Sequence, residues 1–206
     1  MLKDEEIKVL FMGGIAGKTS IINRLIGRQD PTYTTPTMLP SLFSKNISID
    51  NKNYILNLWD IPSQEKFPST TKYIVKDANM IIFVYNIASR ESFNNMDFWV
   101  SRVKNYFKDD IICCIIGNMN DLYFTKKVED QIVKNYAEER NMAFYLTSTK
   151  CENNCNSILL DLTNQYITKK NIGYQIDGIK NKKNVLNNNS IDKKYFSLSL
   201  DKYINF

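Results

Sequence analysis

Residues 7–20 read IKVLFMGGIAGKTS, and this stretch decides the fold. The run from Ile7 to Met12 is apolar apart from Lys8, which is typical of a short strand. Glycines follow this run, and beyond Gly17-Lys18-Thr19 the apolar residues recur at helical spacing. The stretch therefore predicts a strand, a glycine-rich turn and a helix in direct succession.

The turn in this stretch has the composition of a phosphate-binding loop. In such a loop the backbone N–H groups cradle a phosphate, the lysine reaches the β and γ oxygens, and the next hydroxyl binds Mg²⁺. Counted back from Gly17, the first glycine of the usual pattern is replaced by Met12, or Gly13 takes its place in a shorter loop. We favour the shorter loop, because Met12 suits a strand end better than a strained turn.

The chain alternates strands and helices as far as about residue 170. Strand patterns cover residues 46–50, 54–59, 80–85, 111–116 and 143–146, and Asn51-Lys52-Asn53 joins the first two as a hairpin. Between the later strands, apolar residues step by three and four, as in Phe93, Met96, Val100, Val103 and Phe107. This order predicts an α/β fold of the P-loop NTPase type: a doubly wound, mostly parallel six-stranded sheet with one antiparallel edge strand and five helices.

Two further groups of residues suit nucleotide chemistry and lie near predicted strand ends. Asp60 ends the third strand, where a carboxylate can hold magnesium through water, and Gln64 can orient an attacking water. Thr37 lies in a proline-flanked loop, and its hydroxyl can complete the magnesium shell. Because ligands of doubly wound sheets lie beyond the carboxyl ends of the strands, we expect these residues to gather there.

Two motifs suit a purine base. Asn118-Met119-Asn120-Asp121 follows the fifth strand, and Ser148-Thr149-Lys150 follows the sixth. An aspartate carboxylate accepts two hydrogen bonds from N1 and N2 of guanine, which adenine cannot supply. Each motif alone is weak, because Asp60 and Asn118 are also ordinary turn residues. Together the motifs are stronger, because they occur in this order along the chain and each lies beside a predicted strand end. Chance is therefore a poor explanation of the whole set.

From Ile7 to about Lys170 the chain resembles a Ras-superfamily small GTPase, most like the Rab branch. The Rab-like marks are Leu58-Trp59-Asp60, Gln64-Glu65, Phe67, Lys76, Ala78, Val84-Tyr85, Ser92-Phe93 and Trp99. The resemblance implies a guanine-nucleotide switch with two mobile loops, which the γ-phosphate and Mg²⁺ order and which hydrolysis releases.

The resemblance also implies roles for the matching residues. Those that would bind GTP or GDP are Gly13, Gly14, Ala16, Gly17, Lys18, Thr19, Ser20, Thr37, Asp60, Ser63, Asn118, Met119, Asp121, Ser148, Thr149 and Lys150. Among them Thr19 and Thr37 would ligate Mg²⁺ directly, and Asp60 would do so through water. Gln64 would be the catalytic residue that positions the attacking water.

The chain departs from the family pattern at several of these places. Besides the irregular phosphate loop, Ser63 follows Pro62 where the family has a flexible glycine, and Met119 replaces a lysine that packs along the base. We therefore predict a sluggish second switch and slow hydrolysis. The alternative is a degenerate GTPase that serves as a protein-binding module; an adenine-specific P-loop ATPase is a third reading, which Asp121 disfavours.

Composition excludes several other classes of protein. The chain has no histidine, which rules out imidazole catalysis and histidine-ligated zinc. Its net charge of +5 is mild, its charged start is not a signal peptide, and no cysteine follows Cys155 that could be prenylated. We expect a cytoplasmic monomer without nucleic acid. Effector, exchange-factor and activating proteins would bind the switch loops. The protein would contact vesicle membranes only through a partner.

The two ends of the chain are expected to lie outside the GTPase domain. We predict an N-terminal extension at residues 1–6, the domain at 7–170 and a tail at 171–206. The tail from Gly173 to Asn189 is rich in Asn and Lys, which predicts disorder. Residues 195–206 alternate apolar and polar, and we expect a solvated end, with docking as a strand or short helix as the alternative.

Overall fold

A computed structural model of the chain describes residues 4–28, 36–63, 73–106, 111–150 and 154–188. Its strands are β1 (Glu5–Gly13), β2 (Ser41–Ile49), β3 (Lys52–Asp60), β4 (Met80–Asn86), β5 (Ile112–Asn118) and β6 (Ala143–Leu146). Its longer helices are α1 (Lys18–Leu25), α2 (Arg90–Val103), α3 (Asp130–Glu138) and α4 (Asn154–Asn188). Two 3₁₀ helices cover Lys104–Tyr106 and Asn120–Thr125, and residues 73–75 are also helical.

The six strands form one sheet in the order β2-β3-β1-β4-β5-β6. The edge strand β2 runs antiparallel to β3, and the other neighbouring strands pair in parallel. This confirms the predicted doubly wound α/β sheet with one antiparallel edge strand. The parallel arrangement brings the loops that follow β1, β3, β5 and β6 to the same edge of the sheet.

The turn of the β2–β3 hairpin differs from the prediction. It consists of Asp50 and Asn51, and Ile49 pairs directly with Lys52, so the predicted loop Asn51-Lys52-Asn53 is wrong. Asp50 and Asn51 have φ values of 50° and 60°. A two-residue hairpin turn that matches the strand twist requires positive φ at both positions, which Asp and Asn tolerate better than most residues.

Helix α2 buries the apolar face that its spacing predicted. The buried residues of this face are Phe93, Met96, Trp99, Val100 and Val103. Phe107, which was expected to extend the face, lies outside the described residues. The helix begins at a capped end, because the Ser89 hydroxyl accepts a hydrogen bond of 3.1 Å from the Ser92 amide. Helix α2 packs against β1 and β4.

Helix α4 is longer than expected. It runs to Asn188, so the prediction of disorder from Gly173 onward is wrong up to that residue. Residues 154–188 contain no proline, and an isolated glycine costs a helix only about 1 kcal/mol, so nothing in the composition breaks it. The expected docking segment at residues 195–206 lies outside the described residues.

The chain divides into two units, residues 1–166 and residues 167–206. The first unit holds the sheet and its buried apolar core. The domain limits expected from the sequence, 1–6, 7–170 and 171–206, stay predictions. Among the helices of the described ranges, none combines the length and the apolar character that a membrane span needs.

The close approach of β1 to β4 gives a test of the fold. A Cβ at Gly13, where φ is +133°, would lie 2.1 Å from the Val84 carbonyl oxygen. We expect Gly13→Ala to lower the free energy of unfolding by about 3 kcal/mol or more, because the strands must shift. Gly27→Ala is the matched control, since φ is +74° there but nothing lies within 4 Å.

The control should cost about 1–2 kcal/mol, which is the backbone strain alone. Urea unfolding of the wild type and the two variants measures both losses. Equal losses in the two variants would contradict the tight strand contact at Gly13.

Candidate functional site

The loop between β1 and α1 takes its shape from two glycines. Gly13 has the positive φ and close contact described above, and Gly17 has φ +75° at the N-cap of α1. Met12 is fully buried in β1 and pairs with Phe83, so it does not occupy a strained turn. Met12 thus lies within the strand, and β1 ends at Gly13.

Lys18 is buried beneath this loop, with 5% of its surface exposed. Its ammonium donates to the carbonyl oxygens of Gly13 and Gly14 at 3.2 and 2.9 Å and to the Ser63 hydroxyl at 2.8 Å. Burial lowers the pKa of Lys18 to about 8, and the negative charge of Asp60 opposes that shift. A buried cation held by loop carbonyls is suited to bind an anion placed in the loop.

Two hydroxyls and one carboxylate meet beside Lys18. The Thr19 hydroxyl donates to Asp60 Oδ2 at 2.5 Å, and the Thr37 hydroxyl donates to the same oxygen at 3.2 Å. The two hydroxyl oxygens are 3.0 Å apart. Asp60 is 1% exposed, and its other oxygen, Oδ1, is buried without a hydrogen-bond partner.

This oxygen cluster fits a magnesium ion. Mg²⁺ prefers oxygen ligands and is usually held by one or two carboxylates together with other oxygens and water. A buried carboxylate oxygen without a partner is costly, and a divalent cation would satisfy it. The structure thus brings together the three residues that the sequence analysis assigned to the metal.

Asp121 is held by the two side chains predicted to lie near the base. It accepts hydrogen bonds from the Ser148 hydroxyl at 2.7 Å and from the Lys150 ammonium at 2.6 Å. The bond from Lys150, followed by the one from Ser148, lowers the pKa of Asp121. Asp121 is therefore an ionised acceptor at neutral pH, and Thr149 lies between its two partners.

Asn118 connects the base side of the site to the phosphate loop. Its side-chain amide donates to the Ala16 carbonyl at 2.8 Å, and its Oδ1 is buried without a partner. A Cβ at Gly17 would lie 2.7 Å from the Asn118 amide and 3.6 Å from the end of Met119. Met119 has φ +64°, so its backbone turns sharply where β5 ends.

Some contacts of the site carried no sequence signal. The Ser92 hydroxyl accepts from the Asn86 amide at 3.0 Å and donates to the Ile15 carbonyl at 3.4 Å, which joins α2 to the phosphate loop. The Ser63 hydroxyl contacts Lys18, whereas from the sequence Ser63 was noted only as a nucleotide-binding residue that replaces a flexible glycine. A single serine has no periodic pattern that could reveal such a contact.

The remaining predicted residues are placed as follows. Gly14 packs beside α2, where an added Cβ would lie 3.0 Å from Asn95 Cβ. Ser20 lies in the first turn of α1. Gln64 lies outside the described residues, so its role stays a prediction.

Comparisons with known proteins cover the whole of this site. The sequence model of the Ras family matches residues 8–168. Ras-related protein Rab-21 of Bos taurus is 30% identical over 172 residues, which are 83% of this chain and 78% of that protein. Human Rab-21 is also 30% identical over 172 residues, 83% of this chain and 76% of the relative. Human Ras-related protein Rab-30 is 28% identical over 163 residues, 79% of this chain and 80% of the relative.

The two partners of Asp121 should differ in their contributions to stability. Ser148 is 2% exposed, so Ser148→Ala removes a buried hydrogen bond and should lower the free energy of unfolding by about 1–2 kcal/mol. The Lys150 side chain is 75% exposed, so Lys150→Met should cost less than about 1 kcal/mol. Urea unfolding in EDTA measures both, and a larger loss for Lys150→Met would contradict this assignment.

Proposed function

The chain belongs to the Ras family, and we propose that it is a Rab-like guanine-nucleotide switch that binds GTP or GDP with Mg²⁺ and hydrolyses GTP slowly. The observation that carries this proposal is the meeting of Lys18, Thr19, Thr37 and Asp60 below one glycine loop. These residues come from three segments of the chain, since Lys18 and Thr19 are adjacent, and their joint placement would supply both a phosphate partner and a metal partner.

On this proposal the oxygen cluster holds the metal. Thr19 and Thr37 would ligate Mg²⁺ directly, and Asp60 would hold it through water. When bound, Mg²⁺ neutralises charge that develops on the β and γ phosphate oxygens. Lys18 adds a fixed positive charge on the same side, and its burial strengthens that interaction by excluding water.

The base side of the site supports guanine. The ionised Asp121 carboxylate would accept from N1 and N2 of guanine, with Ser148 fixing its orientation from below. Backbone N–H groups of Ser148 to Lys150 would face the guanine oxygen. Met119 would lie along the base through its thioether stem, without the polar contact of a lysine.

One observation favours the second candidate, a degenerate GTPase that works as a binding module. Lys150 and Ser148 each bond one oxygen of Asp121, so the carboxylate already has partners for both oxygens. Each oxygen can accept a second hydrogen bond, so guanine would share Asp121 with the Lys150 ammonium. A protein in which Lys150 keeps guanine away from Asp121 would retain the fold without nucleotide-dependent switching.

Partners would recognise the exposed residues near the predicted switches. Met38, Leu39 and Leu42 are 77%, 75% and 51% exposed, although all three are apolar. We propose that effector, exchange-factor and activating proteins bind this region of a monomer. The protein would then be cytoplasmic and would associate with vesicles during trafficking. A protein partner would make the contact with the membrane.

Base selection tests the nucleotide site. IDP lacks the exocyclic amine of GDP, so we expect wild type to bind GDP about tenfold more tightly than IDP in Mg²⁺. Asp121→Ala should weaken the binding of GDP and make the affinities for GDP and IDP nearly equal. Isothermal titration measures all four affinities, and Asp4→Ala, at the exposed N-terminal end, is the control that should match wild type. Equal affinities of wild type for GDP and IDP would contradict the role of Asp121.

Single-turnover hydrolysis tests the enzymatic part. We expect wild type to hydrolyse bound GTP at about 10⁻⁴ s⁻¹, the intrinsic rate of this class, and Gln64→Leu to be about tenfold slower. Gln131→Leu is the control, because Gln131 is exposed on α3 and its amide bonds Asn135 at 2.8 Å. No difference between wild type and Gln64→Leu, with an activating protein present, would favour the binding module.

A further inference from the structure

The Ser63 hydroxyl joins the end of β3 to the phosphate loop. It accepts from the Lys18 ammonium at 2.8 Å and donates to the Gly14 carbonyl at 2.8 Å. Lys18 itself donates to the same carbonyl at 2.9 Å, so the three groups form a closed triangle of hydrogen bonds. Ser63 thus contacts both the cation of the loop and its backbone.

A count of donors shows what this contact does to Lys18. An ammonium group has three N–H donors, and here Gly13, Gly14 and Ser63 accept all of them. Lys18 is only 5% exposed, so its ammonium has no solvent-facing side at which a further acceptor could be added. A phosphate oxygen that binds Lys18 must therefore replace one of the present acceptors.

Of these acceptors, Ser63 is the one that can itself move away from the ammonium. The Gly13 carbonyl belongs to the backbone of β1, which is packed closely on Val84. A Cβ added at Gly13 would lie 2.1 Å from the Val84 carbonyl oxygen. Gly14 is confined by α2, where an added Cβ would lie 3.0 Å from Asn95. Ser63 follows β3 and acts through a side chain, so a rotation about one bond releases Lys18.

We propose that the Ser63 hydroxyl is a resident competitor of the terminal phosphate for Lys18. This inference rests on the proposed function, and it adds a positioning residue that sets the preference between GTP and GDP. The β-phosphate is common to both nucleotides, and it would take the donor that now makes the longest bond, at 3.2 Å to the Gly13 carbonyl. The γ-phosphate of GTP takes the third donor, and the Ser63 side chain must give it up.

This exchange couples the γ-phosphate to Ser63 and the end of β3. In the GDP state the serine keeps its bonds to Lys18 and Gly14, which hold the end of β3 against the phosphate loop. In the GTP state those two bonds are lost, and the backbone N–H of Ser63 is left for the γ-phosphate. Ser63 thereby weakens the binding of GTP relative to that of GDP. Its hydrogen bonds also differ between the two nucleotide states.

The test compares Ser63→Ala with Ser63→Thr. The alanine removes the hydroxyl but keeps the backbone N–H, whereas threonine restores a hydroxyl on the same carbon. Stopped-flow measurements with fluorescent GDP and a fluorescent non-hydrolysable GTP analogue give the ratio of the two affinities. We expect Ser63→Ala to shift that ratio about three- to tenfold toward the GTP analogue, the size of one exchanged hydrogen bond.

Ser63→Thr should restore the wild-type ratio, which a merely structural role of the side chain would not require. Ser44→Ala is the control, because the Ser44 hydroxyl bonds Asn57 on the exposed face of the hairpin at 3.2 Å. If Ser63→Ala leaves the ratio unchanged or shifts it toward GDP while wild type binds both nucleotides, the competitor role of Ser63 is overturned. If wild type binds neither nucleotide, the proposed function fails and this inference fails with it.

Discussion

The burial of one ammonium group is the constraint on which the site depends. A buried lysine is costly unless carbonyls or carboxylates surround its charge. Lys18 meets this requirement with the Gly13 and Gly14 carbonyls, the Ser63 hydroxyl and the nearby charge of Asp60. The sheet supplies these partners, because β1 lies between β3 and β4, and Phe11 pairs directly with Asp60. The ends of β1 and β3 are thus adjacent for an electrostatic reason as well as an apolar one.

The same loop is held from the other side by the end of β5. Asn118 bonds the Ala16 carbonyl, and the space between them leaves no room for a side chain at Gly17. The phosphate side and the base side therefore share one piece of backbone. A ligand that spans both sides would therefore contact one continuous piece of backbone.

Much of the fold could be predicted from the sequence, because its strongest signals are physical periodicities. The unbroken apolar runs of β4 and β5 and the stepped face of α2 correspond to elements in the structure. The hairpin turn could not be placed, since Asp50, Asn51 and Asn53 are all turn-forming residues and only backbone twist selects among them. Helix α4 was underestimated because a composition rich in Asn and Lys suits a solvated helix as well as a coil. At the site, the grouping of Thr19, Thr37 and Asp60 could be expected from residue chemistry and the family resemblance, whereas the Ser63 contact depends on three-dimensional proximity alone.

The nucleotide content of the purified protein tests the central claim most directly. The protein is purified in Mg²⁺ and denatured, and the released nucleotide is identified by ion-exchange chromatography. We expect a stoichiometric amount of guanine nucleotide, because a phosphate and a metal ion would stabilise the buried Lys18 and the unpartnered oxygen of Asp60. A folded protein that is empty, and that takes up no guanine nucleotide after exchange, would contradict it.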